Sequence, residues 1–147
     1  MPAFSDEVII EKPKEEVFAF AANMDNSTDV MPNVAKIEKL TEGPVGVGTQ
    51  YRETREIRGK EASSVIEVVE YKLNEKYSVE SSLEGLTTIY HYTFTERDGE
   101  TKIRFECEIN ASTLKMKLVK PVFKRIMKKE DGDHLQHMKK AIEQSNT

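Results

Sequence analysis

The chain has no tryptophan and a single cysteine, Cys107, among its 147 residues. One cysteine forbids an intrachain disulfide, so a packed core must hold the fold, as is usual in a reducing compartment. With only Gly 7 and Pro 5, collagen-like and low-complexity classes are excluded. No apolar run approaches the roughly 18 residues that a membrane helix needs. The opening MPAFSDEVIIEKPK lacks a basic stretch leading into an apolar one. No secretory leader is read there, and a cytoplasmic location is expected. Nor is there an excess of base: the net charge of -4 argues against nucleic acid as the main partner. What remains is 37% hydrophobic and 33% charged, which suits one domain spanning 1–147.

The charge is unevenly placed. Residues 112–147 carry nine Lys/Arg and four acids, whereas residues 1–111 carry 13 bases and 22 acids. Between 112 and 129 stand seven bases and no acid. Such a run is either a solvated helix face complementing an acidic body, or a surface for an anionic partner such as a membrane through Lys115–Lys129.

Residues 6–11 read as a short strand. Pro13 suits the first position of a helix over 13–24, with Glu15 and Glu16 in its first turn and Val17, Phe20, Ala21 and Met24 as its apolar stripe. From 34 to 109 the period becomes that of strands, at 34–41, 49–58, 61–71, 76–83, 86–96 and 100–110. Short turns at Gly59-Lys60, Lys72–Glu75, Glu84-Gly85 and Asp98-Gly99 make neighbours pair as antiparallel hairpins. Those turns pair Tyr51 with Val68, Val68 with Val79, Val79 with Tyr90 and Tyr90 with Cys107. They also pair Arg52 with Glu67 on the outer face.

One face then gathers Tyr51, Glu53, Arg55, Ile57, Ser64, Ile66, Val68, Tyr77, Val79, Ser81, Leu83, Thr88, Tyr90, Tyr92, Phe94, Ile103, Phe105, Cys107 and Ile109. Four tyrosines, two charges and three small hydroxyl residues are too polar for a plain core face. Either they satisfy one another or they line a partly wet cavity. Residues 113–144 read as helix, kinked or restarted at Pro121 and weakened at Gly132. Val122, Phe123, Ile126, Met127, Leu135, Met138 and Ile142 are expected inward. Such a helix can bury its stripe across the concave face of a curved sheet. The fold class is therefore α+β: about seven antiparallel strands wrapped around a long C-terminal helix, with two short helices after the first strand.

This order, with IIEKPKEEVFAFAANMDN (9–26), the Met31-Pro32-Asn33-Val34 step, LTEGPVGVGTQYRETR (40–55), FTERDGETKIRF (94–105) and LQHMKKAIE (135–143), resembles the helix-grip fold of the START/Bet v 1-like (SRPBCC) superfamily. Within it the chain is similar to the bacterial polyketide cyclase/dehydrase-like group. The resemblance covers nearly the whole chain and implies a hydrophobic cavity between sheet and long helix. Members bind lipids, isoprenoids, polyketides or hormones, and a minority are enzymes. Val30 stands where an aromatic residue is common. With no tryptophan in the chain, a wider pocket mouth is expected.

The candidate ligand-binding residues are Phe20, Met24, Met31, Tyr51, Glu53, Arg55, Ser64, Ile66, Val68, Tyr77, Val79, Ser81, Tyr90, Tyr92, Phe105, Cys107, Phe123 and Met127. Glu53 and Arg55, at i and i+2, share a face. They form an internal ion pair, orient the polar end of a ligand, or supply a general base for an aldol-type cyclisation. His91 falls on the outer face. Glu130, His134 and His137 have spacing that metal ligation permits, but a capped or water-bridged arrangement is the simpler reading and no metal is assigned. Asp131 and His134 fall within the apolar stripe and meet the cavity or the sheet. Cys107 has no base beside it and reads as a small hydrophobe. The glycine-rich 43–49 stretch lacks the Gly-Lys-Ser/Thr step of a phosphate loop and reads as a flexible turn or cavity lid.

Three functions follow. The first is a binding protein for an apolar small molecule with a polar end, monomeric or homodimeric, without cofactor. The second is a cyclase- or dehydratase-type enzyme acting on such a molecule. The third is a protein-interaction module using the basic helix.

Overall fold

In the computed structural model, residues 2–57, 59–83 and 85–144 are described, Ile57 and Leu83 by backbone alone. Seven strands form one sheet: β1 (Phe4–Ile10), β2 (Val34–Lys39), β3 (Gln50–Ile57), β4 (Lys60–Lys72), β5 (Lys76–Leu83), β6 (Leu86–Arg97) and β7 (Glu100–Ala111). Their order is β1-β7-β6-β5-β4-β3-β2, with every neighbouring pair antiparallel. Each hairpin partner follows its neighbour in sequence, and β1 alone closes on the far end of the chain. The expected turn residue Glu84, the strand end at 58 and the inward side chains of Ile57 and Leu83 lie outside the described residues.

The expected pairings of β5 with β6 and of β6 with β7 stand, including Val79 with Tyr90 and Tyr90 with Cys107. Asp98 and Gly99 both take positive φ, 55° and 80°, as a tight two-residue hairpin turn requires. The β3–β4 register differs from expectation. Tyr51 lies opposite Ile66 rather than Val68, and Glu53 lies opposite Ser64. Glu67 therefore faces Gln50, whose amide donates to it at 2.9 Å, and not Arg52. The slip is two residues, so every side chain keeps its face. In β4 the Val68–Val79 pair forms as expected, but a bulge between Val68 and Glu70 follows. The extra residue reverses the alternation, sending Glu70 outward to Ser78 and Tyr71 inward against Phe18.

The helix expected over 13–24 is shorter. Helix α1 spans Lys14–Ala21, and Pro13 caps it instead of forming its first residue. The Pro13 carbonyl accepts from the N–H groups of Glu16 and Val17, both at 3.1 Å. Phe18, outside the expected stripe, is buried with Val17 and packs edge-on against Tyr71, Tyr77 and Phe94. Asn23 then caps a short 3-10 turn at Met24–Asn26, and α2 (Ser27–Val30) completes the connection.

The C-terminal helical segment is two helices, α3 (Leu114–Asp131) and α4 (His134–Gln144). Pro121 does not break it: the residue lies inside α3 on an exposed side, so the carbonyl it leaves unpaired meets water. The break comes at Gly132, where an added Cβ would collide with the Lys128 carbonyl. Val122 and Ile126, expected inward, are exposed. At 3.6 residues per turn they fall about 60–140° around the helix from Met116, Phe123 and Met127, which face the sheet, and so lie on its flank.

Candidate functional site

Strands β3 to β6, the α1–α2 connection and helix α3 enclose a cavity of about 260 Å³. Phe20 lines it from α1, Met24 from the connection, Met31 from the end of α2, and Phe123 and Met127 from α3. The sheet contributes Glu53, Arg55, Ser64, Ile66, Tyr77, Val79, Ser81, Tyr90 and Tyr92. Four of the sequence candidates do not line it. Phe105 and Cys107 lie on β7, where Phe105 meets the His134 ring edge-on at 4.5 Å and Cys107 pairs with Tyr90. Val68 and Tyr51 are buried in the core but likewise form no part of the cavity wall. The glycine-rich loop is not a lid either: the Gly48 N–H donates to the Val68 carbonyl at 2.8 Å, and the Val68 N–H donates to Thr49 at 2.9 Å. These bonds pin the end of the loop to β4, and none of residues 43–49 lines the cavity.

The polar groups converge at one point of the wall. The Arg55 Nε donates to Glu53 Oε1 at 2.6 Å. Its two terminal nitrogens grip Asp131 in a fork, at 3.0 Å to Oδ1 and 3.1 Å to Oδ2. The Tyr90 hydroxyl donates to the same Asp131 carboxylate. Asp131 is 1% exposed and the Arg55 side chain 13%, so the pair is largely desolvated. Burial alone would lower the Arg55 pKa, but the two carboxylates outweigh it and raise it. Arg55 is therefore a fixed cation whose fork is already occupied, and a bidentate pair of this kind is among the stronger charge-assisted contacts.

Next to it, His134 Nδ1 lies 2.6 Å from the Asp131 carbonyl, and Nε2 lies 2.9 Å from the Tyr92 hydroxyl. A carbonyl only accepts, so Nδ1 carries the proton. Burial lowers the His134 pKa, which keeps the ring neutral, and Nε2 then accepts from Tyr92. Burial likewise raises the pKa values of Tyr90 and Tyr92, which stay protonated donors. The Tyr77 hydroxyl is buried in the cavity wall without a hydrogen-bond partner. Burial also pushes the Cys107 thiol up to about 12, which leaves it unreactive at neutral pH.

His134 and His137 do not converge with Glu130. His137 Nδ1 instead meets the Val30 carbonyl at 2.9 Å, tying α4 to α2. Among the described residues no cluster of three or more His, Cys, Asp or Glu side chains could hold a metal ion. His91 lies on the outer face, between Ser78 at 2.8 Å and Glu108 at 3.0 Å. Sequence reasoning missed Asp131 as the partner of Arg55, since 76 residues separate them. The available signal was an acid inside an apolar helical stripe, which needs a buried cation. Thr88 and Met138, also on the wall, were legible only as inward-facing positions.

A curved antiparallel sheet gripping a C-terminal helical segment over a cavity defines a helix-grip protein. The sequence profile described as "Polyketide cyclase / dehydrase and lipid transport" matches residues 1–143, and the chain belongs to that family. Solved structures share the fold at low identity. TTHA0849 from Thermus thermophilus is 14% identical with a TM-score of 0.76, covering 97% of this chain and 98% of its own. The Zhui aromatase/cyclase from Streptomyces sp. R1128 is 11% identical with a TM-score of 0.75, covering 98% and 94%. A norcoclaurine synthase point mutant from Thalictrum flavum, in complex with a transition-state analogue, is 13% identical with a TM-score of 0.73, covering 98% and 95%. No curated protein matches the sequence.

Proposed function

We propose that this protein binds an apolar small molecule bearing a neutral oxygen, in the cavity beneath α3. The observation that carries this reading is Tyr77: a buried hydroxyl without a partner on a mainly apolar wall. A buried phenol is expected to find an acceptor, and a ligand carbonyl, ether or hydroxyl supplies one. Arg55 favours a neutral ligand group over a carboxylate, because Glu53 and Asp131 already neutralise it. The family's lipid, isoprenoid and polyketide-like ligands have this chemistry. Binding is favoured over catalysis because Glu53 and Asp131, the carboxylates of the polar centre, are both engaged by Arg55.

Titration with Nile red, an uncharged apolar dye carrying a carbonyl, tests the reading. The wild type is expected to show saturable binding to one site. Tyr77→Phe should keep the fold and weaken binding by about three- to tenfold, the worth of one hydrogen bond. Val79→Trp, which fills the cavity, should abolish it. Saturable binding unaffected by Val79→Trp would place the dye elsewhere and overturn the proposal.

A second reading, as a cyclase or dehydratase on such a ligand, draws support from the Tyr92–His134 pair. A neutral imidazole accepting from a wall-lining phenol can relay a proton to bound substrate. Mass spectrometry of compounds co-purified with wild type and with Tyr92→Phe tests it: a chemically altered compound found only with the wild type supports turnover, and identical compounds argue for binding alone.

A further inference from the structure

Helix α3 has two apolar faces, and the sheet covers only one. Met116, Phe123 and Met127 pack against the core. On the other side Leu114, Leu118, Val122 and Ile126 follow one another at i+4 spacing and are 76%, 76%, 56% and 41% exposed. At 3.6 residues per turn these four fan over a sector of about 120°. Lys115, Arg125 and Lys129 fall within that sector, and Lys117, Lys124 and Lys128 border it. No acid interrupts 112–129. No helix among the described residues is long and apolar enough to cross a membrane.

We propose that α3 docks flat on an anionic lipid bilayer, its exposed aliphatic row entering the boundary between headgroups and acyl chains and its cations meeting lipid phosphates. An exposed apolar row rimmed by polar groups marks an interaction surface. Three features select a bilayer as the occupant. The charge is one-signed, so α3 pairing with α3 of a second copy would oppose like charges. Six of the seven cations are lysines, which protein interfaces disfavour and interfacial membrane helices favour. The row is aliphatic throughout and lacks the Trp and Tyr that dominate protein-binding hot spots. Long lysine stems can lie along the apolar row while their ammonium groups reach the phosphates. The opposite face of the same helix supplies Phe123 and Met127 to the cavity wall, so docking sets the cavity's cover against the membrane. The inference stands on α3 alone and does not depend on what the cavity holds.

Co-sedimentation of the full chain with vesicles tests it, using phosphatidylcholine alone or mixed with phosphatidylglycerol. Association is expected with the mixed vesicles at low salt, not with phosphatidylcholine alone, and should fall as salt rises. Lys115→Gln combined with Lys129→Gln should weaken it by about fivefold per cation removed. Leu118→Gln should weaken it by more than about tenfold, the worth of one leucine withdrawn from the apolar phase. Because these positions are exposed, the thermal midpoint of each variant should match the wild type, so a loss of association is not a loss of fold. No association with the mixed vesicles at low salt overturns the proposal. So does a Leu118→Gln variant that binds as well as wild type, or a wild type that sediments as a dimer which Leu118→Gln splits.

Discussion

Helices α3 and α4 follow one another and share a sheet, yet they meet it differently. Helix α4 buries His134, Leu135, Met138 and Ile142 and contacts β1, α1 and α2. Helix α3 buries only Asp131 completely, at its very end, while five of its aliphatic side chains face water. Beneath α4 the sheet is dry and aromatic: Phe105 touches Phe4, Tyr90, Tyr92 and the His134 ring. Beneath α3 lies the cavity, which α4 meets only through Met138. One half of the segment therefore holds the fold, and the other roofs the cavity. The junction between them is the Asp131–Arg55 pair, which fixes the end of α3 to β3.

The largest expected effect breaks the dry half. Phe105→Asp should destabilise by more than about 5 kcal/mol, since it buries an unpaired charge among Phe4, Tyr90, Tyr92 and the neutral His134 ring. Circular dichroism should show an unfolded chain. Arg104→Asp, one residue away on the outer face, should cost under about 1 kcal/mol in chemical denaturation. Equal costs for the two would mean the face assignment is wrong.

The junction comes next. Asp131→Leu should cost about 3–5 kcal/mol, because Arg55 would keep its charge with one buried partner gone. Replacing Glu53, Arg55 and Asp131 together by apolar residues of similar size should recover most of that in urea unfolding. Failure to recover would mean that the network contributes net stability beyond charge neutralisation.

Acid should weaken the junction through His134. Burial holds its folded-state pKa below the usual 6.5, so below about pH 6.5 the unfolded chain binds more protons than the folded one. The stability owed to the neutral ring is complete above about pH 6.5 and declines as the pH falls toward the lower folded value. His134→Asn should flatten that decline when urea midpoints are compared between about pH 8 and pH 5. Parallel profiles for the two proteins would argue that other groups titrate.

The smaller effects sharpen the contrast between helices. Tyr92→Phe removes one hydrogen bond to His134 and should cost about 0.5–1.5 kcal/mol in thermal unfolding. Val122→Ala on the exposed row of α3 should cost under about 0.5 kcal/mol, whereas Leu135→Ala in α4 should cost at least about 2 kcal/mol. Similar costs at Val122 and Leu135 would show that α3 packs as tightly as α4.

Much of the sheet was readable from period and turn chemistry. Asp98-Gly99 set the β6–β7 register, and alternation placed Tyr90, Tyr92 and Phe105 inward. The β3–β4 register was misread because Gly59 was assigned the first turn position. Pairing Ile57 with Lys60 gives it the second, the position Gly99 also takes. The site's apolar walls were largely legible, because they are the inward positions of predictable strands. Its polar centre was not. Nothing local to Arg55 names Asp131, and nothing local to Tyr92 names His134.

The sequence by itself determined which residues alternate inward, where the hairpins turn and that the C-terminal segment is helical. These are properties of neighbouring residues: pleat, φ-permissive glycines and a 3.6-residue repeat. The tertiary structure alone decided that the β4 bulge turns Tyr71 inward, that α4 packs tightly while α3 does not, and that Arg55 is held by an acid 76 residues away. Those outcomes depend on which surfaces meet once the sheet curves, and the residues that meet are distant along the chain. A buried charge is stable only with its partner in place, so the location of Asp131 follows from the packed fold and from no local pattern.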